Sequence, residues 1–361
     1  SAGALRVAVG PFHSCALLVG GSVQCWGSGV HGKLGYNSTT SIGSSQSVSA
    51  SGFGVVPLAM TVVDLTVGNG HTCALYSSHQ VACWGEGANG ALGYGSTDNV
   101  ADDPSRALGS VTVPLPSGQG YPVQVVAQSD STCVLFSEGT VSCWGDSASG
   151  QTGMGSTNKW GSTGVTRPSD RGTLSLGGVA VHLAAGSDHV CATLLRGKLQ
   201  CWGLNGNGQL GVGDLENVGA DSDRLPSDVG PLRLADYALS VTAGGFHTCW
   251  VERGGAGRCI GRGTLGRLGY GNTEDIGDDE DSLGAQRLQD YLADDVDAAG
   301  IGAPSCPILT TETQTWLVKI VPGISHTCLL YASGSMRCFG SNKEGRLGLG
   351  KAGDIGLDRR P

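Results

Sequence analysis

The stretch GSDHVCATLLRGKLQCWGLNGNGQLGVG, residues 186–213, decides how the rest of the chain is read. Cys191 and Cys201 stand 10 positions apart, and Gly197 falls just past their midpoint. In an antiparallel hairpin directly opposed residues keep a constant index sum, so this pair centres the turn on residue 196 and requires a loop of odd length. A three-residue loop is a type I turn closed by a left-handed residue, usually Gly, at its third position. Gly197 occupies that position. The stretch therefore predicts a β-hairpin whose two cysteines face each other within disulfide reach.

The same arrangement recurs along the chain. Twelve of the 13 cysteines fall into such pairs: Cys15/Cys25, Cys73/Cys83, Cys133/Cys143, Cys191/Cys201, Cys249/Cys259 and Cys328/Cys338. Their first members lie 58, 60, 58, 58 and 79 residues apart, so one unit of roughly 58–60 residues is repeated six times. The third loop position is Gly21, Gly139, Gly197, Gly255 or Gly334, and His79 breaks the rule. Two residues before the first cysteine stands His13, His71, His189, His247 or His326, with Ser131 as the exception. After the second cysteine comes Trp26, Trp84, Trp144, Trp202 or Phe339, with Ile260 in the remaining unit, and then a Gly. Each unit closes on Gly-x-Leu-Gly, with Thr152 replacing Leu in the third.

Six intra-hairpin disulfides are expected, each stabilising its unit by about 2.5–3 kcal/mol through loop closure. Paired cysteines at this density imply an oxidising compartment, hence an extracellular or cell-surface location. Zinc is disfavoured, because the spacing matches no usual ligand pattern and the chain has no Cys-x-x-Cys. Upstream of each hairpin runs a β-branched segment such as Val62–Val67 or Val123–Val126, and polar Gly-, Asn- and Asp-rich loops join the units. Short strands, six repeats and Gly-rich punctuation describe a radially repeated all-β architecture, a closed propeller or an open solenoid.

Composition agrees. Gly accounts for 62 of 361 residues and charged residues for 15%, against typical shares of about 7% and 25%. Collagen is excluded for want of strict periodicity, and disorder by a 39% hydrophobic content. The net charge of −9 lacks the basic footprint of nucleic-acid binding. No run of 18 apolar residues suggests membrane insertion. Ser1-Ala2-Gly3 has neither an initiator Met nor a leader pattern, so a processed or excerpted chain is expected.

Phrases such as GNGHTCAL, VACWGEGANGALGYG and GISHTCLLYASGSMRCFGSNKEGRLGLG resemble the regulator-of-chromosome-condensation repeat. The resemblance extends over essentially the whole chain. It implies a single β-propeller over 1–361 with four-stranded blades, seven in the founding members, and structural roles for the repeated His and Gly. Two departures stand out: a cysteine pair in every hairpin, as in a secreted variant, and only six clear repeats. These run over about 1–58, 59–118, 119–176, 177–234, 235–282 and 317–361, with 283–316 as an insert or partial seventh blade. Cys306 in that insert is the odd thiol, free or bonded to another chain.

The search for chemistry yields little. No Gly-x-Ser-x-Gly, His-Glu-x-x-His or phosphate-loop motif is present. A His at a fixed repeat position reads as a structural group, and no cofactor is implied. Asp275, Asp278, Asp279 and Glu280 form an acidic run that could bind calcium, although acidic runs are usually solvated surface. Asn37-Ser38-Thr39 is a glycosylation sequon in an inter-unit loop.

The expected function is a non-enzymatic extracellular interaction or structural module that presents a rigid propeller to a protein or glycan, alone or as part of a surface protein or filament. The resemblance offers guanine-nucleotide exchange or enzyme inhibition as alternatives. A hydrolase with a site in a central channel is a further one.

Overall fold

The computed structural model describes residues 3–44, 54–109, 111–164, 166–234, 236–279, 317–348 and Asp354. The insert of 283–316, with Cys306, lies outside the described residues, as does Glu280. Among the described residues there are six three-stranded antiparallel sheets, each a meander in chain order. The first three are β1 (Ala4–Val9), β2 (His13–Leu18) and β3 (Val23–Gly27); β4 (Val62–Val67), β5 (His71–Tyr76) and β6 (Val81–Gly85); β7 (Pro122–Ala127), β8 (Ser131–Phe136) and β9 (Val141–Gly145). The second three are β10 (Ala180–Ala185), β11 (His189–Leu194) and β12 (Leu199–Gly203); β13 (Ala238–Ala243), β14 (His247–Glu252) and β15 (Gly257–Gly261); β16 (Leu317–Pro322), β17 (His326–Tyr331) and β18 (Met336–Gly340). Among the described residues helix is confined to single turns such as Pro168–Arg171 and Pro226–Val229.

The chain divides into two compact units. One reaches to Ser175 and includes Gly219–Ser222; the other comprises Leu176–Val218 and the residues from Asp223 onward. The first unit holds the first three sheets and the second unit the last three.

Every hairpin has the register that the cysteine sums require. Cys15 opposes Cys25, Cys73 opposes Cys83, and Cys133 opposes Cys143. In the second unit Cys191 opposes Cys201, Cys249 opposes Cys259, and Cys328 opposes Cys338. All six disulfides are formed, with S–S distances of 2.04–2.11 Å. The third loop residue is left-handed throughout, including His79 at φ 62°. The turn dictates the conformation, and His79 adopts it without being Gly.

Among the described residues the four-stranded blade implied by the family resemblance is not seen; what lies along the outer edge of the third strand is isolated contacts. In the first sheet, Gly27 bridges to Ile42 and the Val56 amide donates to the Val23 carbonyl. Between those points the Tyr36 phenol takes the strand's place. It accepts from the Cys25 amide at 3.1 Å and donates to the Cys25 carbonyl at 3.3 Å. Tyr94 does the same for Cys83, and Tyr270 for Cys259. One hydroxyl thus satisfies an edge peptide that would otherwise need a fourth strand.

Cys143 and Cys201, with Met154 and Val212 in place of the tyrosine, depart from this pattern, although the bond of Cys143 to Cys133 forms as the spacing predicts, at 2.08 Å. The residue after its Gly-x-Thr-Gly is Met154, which has no hydroxyl to offer the Cys143 peptide. The Met154 carbonyl instead accepts the Arg171 guanidinium at 2.6 Å. Leu174 bridges Val141 at the start of the same strand, and Trp160 bridges Gly145 at its end. Cys143 keeps 5% exposure where Cys25, Cys83 and Cys259, each beneath a phenol, have none.

The core sits in the layers between successive sheets of a unit. Leu34, Ile42, Val56, Leu65 and Trp84 form one such layer between the first and second sheets. Leu92, Val113, Val125 and Trp144 form the next. Trp84, Trp144 and Trp202 are fully buried, each worth about 4–6 kcal/mol as an upper figure for its area. Trp26, with no earlier sheet in its unit, is half-buried.

Candidate functional site

Two repeated structures invite a functional reading. The first is the junction between neighbouring sheets. His13 Nε2 lies 2.7 Å from Thr72 Oγ1 of the next sheet, and His71 Nε2 lies 2.9 Å from Thr132 Oγ1. In the second unit His189 meets Thr248 at 2.9 Å, and His247 meets Thr327 at 2.8 Å. Each threonine donates onward to the carbonyl of the residue inside Gly-x-Leu-Gly of the sheet before it: Lys33, Ala91, Gln209 or Arg267. The indole Nε1 of Trp84 and of Trp144 donates to that same carbonyl, of Lys33 and Ala91 respectively.

Because each threonine gives its proton to a carbonyl, the histidine must be the donor, and its proton sits on Nε2. The Nδ1 atoms of His13, His189 and His247 are buried without a partner. A second proton there would be an uncompensated buried charge. Burial accordingly pulls His13 and His247 down to about 3, helped by the Lys33 and Arg267 cations, and His71 and His189 down to about 4. His326, half-buried in the last sheet, is also lowered by burial. The rings of His13, His71, His189 and His247 are neutral structural donors.

The Gly three residues before the His71, His189 and His247 rings makes their packing possible. A Cβ on Gly68, Gly186 or Gly244 would stand 2.3–2.6 Å from the Cε1 of His71, His189 or His247. The threonine partners escape a reading of the sequence, although the signal is present: Thr72, Thr132, Thr248 and Thr327 each immediately precede a first cysteine.

The second structure is exposed. The first strand of every sheet carries a β-bulge after its first residue. The extra residue is always aliphatic and turned outward: Leu5, Val63, Val123, Val181, Leu239 and Val318, each 43–66% exposed. Bulges re-aim side chains out of the sheet pattern, so each sheet presents one aliphatic group at the end where its hairpin turns.

The acidic run has a different use. The Asp275 carboxylate accepts the Gly263 amide at 2.8 Å and the Asn207 side-chain amide at 3.3 Å. Ser41, Asn99, Asn217 and Asp354 make the matching backbone contact in other repeats, so Asp275 is a repeat cap. Asp278 is half-buried and Asp279 exposed. Among the described residues no three His, Cys, Asp or Glu side chains are grouped to hold a metal ion. Asn37 is left-handed at φ 56°, and its Oδ1 is buried without a partner. No helix among the described residues is long and apolar enough to cross a membrane.

The model of the Regulator of chromosome condensation (RCC1) repeat matches residues 5–33 and 180–209, and a second model of that repeat matches residues 196–251. Over those residues the chain carries RCC1 repeats. Among curated relatives, the ultraviolet-B receptor UVR8 of Arabidopsis thaliana is 28% identical over 349 residues, covering 96% of this chain and 67% of the receptor. The E3 ubiquitin-protein ligase HERC2 of Homo sapiens is 29% identical over 270 residues, which is 74% of this chain but 5% of the ligase. Among solved structures, human WBSCR16 superimposes with a TM-score of 0.70 at 19% identity, covering 99% of this chain and 81% of the other. Yeast RCC1 (Prp20), in a complex with Kap60, gives 0.68 at 23% identity over 98% of this chain and 74% of the other. These likenesses establish the fold class, an all-β propeller of RCC1 type, to which this chain adds a disulfide in each hairpin.

Proposed function

We propose that this RCC1-repeat chain is a non-enzymatic interaction module working outside the cytosol, offering a rigid surface to a protein partner. The observation that carries this reading is the covalent closure of all six hairpins by disulfides. Such bonds form and persist in oxidising compartments. The repeat histidines support a non-catalytic role, since four of them commit Nε2 to a threonine in the next sheet. The outward aliphatic group on every sheet supports a binding role, because repeated exposed apolar groups mark interaction surfaces. Yeast RCC1 (Prp20), whose fold this chain shares, has been solved bound to Kap60, which is in keeping with a protein-binding role.

The test is a thiol count on the protein purified from its native source, denatured with and without reductant. The expected result is twelve additional thiols on reduction, two for each of the six bridges. Twelve reactive thiols before reduction would overturn the extracytosolic assignment.

A further inference from the structure

The second unit separates its charge along the strands. Its 25 described Lys, Arg, Asp and Glu residues sort by the strand end that carries them. At the hairpin end, where β10, β13 and β16 begin, there are seven cations and three carboxylates. At the opposite end, which carries the Gly-x-Leu-Gly loops, there are five cations and ten carboxylates. Counted over the described residues, the hairpin end is thus +4 and the loop end −5.

The excess at the hairpin end is exposed. Arg196, Lys198, Arg233, Arg253, Lys319 and Arg337 all face solvent, interleaved with the exposed Val181, Leu195, Leu239, Val318 and Met336. Arg253 lies over the Tyr237 ring at 5.2 Å and 3.6 Å from Asp236. Arg258, the seventh cation, is buried against Glu252. The loop end offers the complement. Asp214, Glu216, Asp223, Glu274, Asp278 and Asp279 lie in its loops with the exposed Leu215 and Ile324. The first unit has less to offer: its three hairpin turns (19–22, 77–80 and 137–140) contain no Lys or Arg, and Arg6, at the position of Lys319, is bridged to Asp64.

We infer that the basic hairpin end of the second unit docks on the acidic loop end of the second unit in another copy of the chain. Opposite charge on the two ends steers them together, and the aliphatic groups supply area that desolvates on contact. Because the two ends are different surfaces, the contact is heterologous and each added copy leaves both an open basic and an open acidic end. The inference rests on the proposed protein-binding role and names the partner for this one surface.

Sedimentation velocity of the full chain against concentration and salt tests it. At about 20 mM salt, where the Debye length is about 20 Å, the weight-average mass should rise at least about twofold with concentration and continue past the dimer. At about 0.5 M salt, with a Debye length of about 4 Å, it should return to monomer. A triple variant Arg196→Glu, Lys198→Glu, Arg337→Glu and a double variant Glu216→Lys, Glu274→Lys should each be monomeric alone. Mixing the two should restore one contact and give a heterodimer, because the unaltered basic hairpin end of the double variant meets the unaltered acidic loop end of the triple variant. For the parent, monomer at all salts, association unaffected by salt, or a mass that stops at dimer would overturn the proposal. So would failure of two folded variants, matched in melting to the parent, to pair on mixing. If a variant does not fold, the salt titration of the parent decides. None of these outcomes alters the thiol count, so this inference can fail while the extracytosolic reading stands.

Discussion

The second and third sheets solve the same packing problem differently. In the second, Gly68 leaves room for the His71 ring, whose Nε2 holds Thr132. In the third, Ser131 replaces the histidine and Gln128 replaces the glycine. A Cβ built on Gly68 would stand 2.4 Å from the Gln128 carbonyl of the next sheet and 2.5 Å from the His71 ring, whereas Gln128 has no ring three residues after it. Gln128 is 2% exposed, and neither of its amide atoms has a partner. The repeat that follows carries Val190 where four of its fellows carry Thr. The His and the Gly are therefore one unit of information: either both are present or both are changed.

The largest expected break in this comparison is by acid. Four histidines, His13, His71, His189 and His247, have folded pKa values of about 3–4, below the unfolded 6.5. The unfolded chain then binds protons that the folded chain refuses. Their contribution is intact above pH 6.5 and is lost as pH falls toward 4, at up to about 1.4 kcal/mol per pH unit for each ring. Urea unfolding at about pH 7, 6 and 5 should show midpoints falling progressively, with the third sheet contributing nothing to the slope. Next in size, Gly68→Gln should cost about 3 kcal/mol, because it imposes the third sheet's side chain on a site that still has its ring. The same denaturation assay reads it.

Ser131→His sharpens the comparison from the other side. Alone it should cost about 2 kcal/mol, with Gln128 in the way, and adding Gln128→Gly should return at least about 1 kcal/mol of that. Simple additivity of the two changes would refute the coupling. Smallest is Thr132→Val, which strands the His71 Nε2–H and removes a donor from the Ala91 carbonyl, for about 1–2 kcal/mol. A change below about 0.3 kcal/mol would mean that water replaces the hydroxyl freely.

Much of this is legible in the sequence because hairpins are local. The cysteine sums and the loop glycines specify all six registers, and even the exception, His79, adopts the left-handed turn. The fourth strand is an inference from resemblance alone, and no residue pattern shows that the Tyr36, Tyr94 and Tyr270 hydroxyls stand in for its hydrogen bonds. Nor does the cysteine spacing, which is the same for all six pairs, distinguish Cys143, whose strand edge faces Met154 and not a phenol. The bulges escape for a related reason: a one-residue register shift leaves the apolar count of a strand unchanged while turning Leu5 or Leu239 outward. Asp275 reads as acidic surface because its capping role depends on a backbone amide twelve residues upstream.

The disulfides also have a mechanical consequence. Each bond bypasses ten residue steps of backbone, so a chain pulled from its ends cannot pay out the strand segments and turn enclosed between the paired cysteines. At about 3.5 Å per residue, and allowing for the span of the bond itself, each hairpin withholds roughly 30 Å of contour. A hairpin cut once within its turn would still transmit the load, since the tension path runs through sulfur and not through the peptide that was severed.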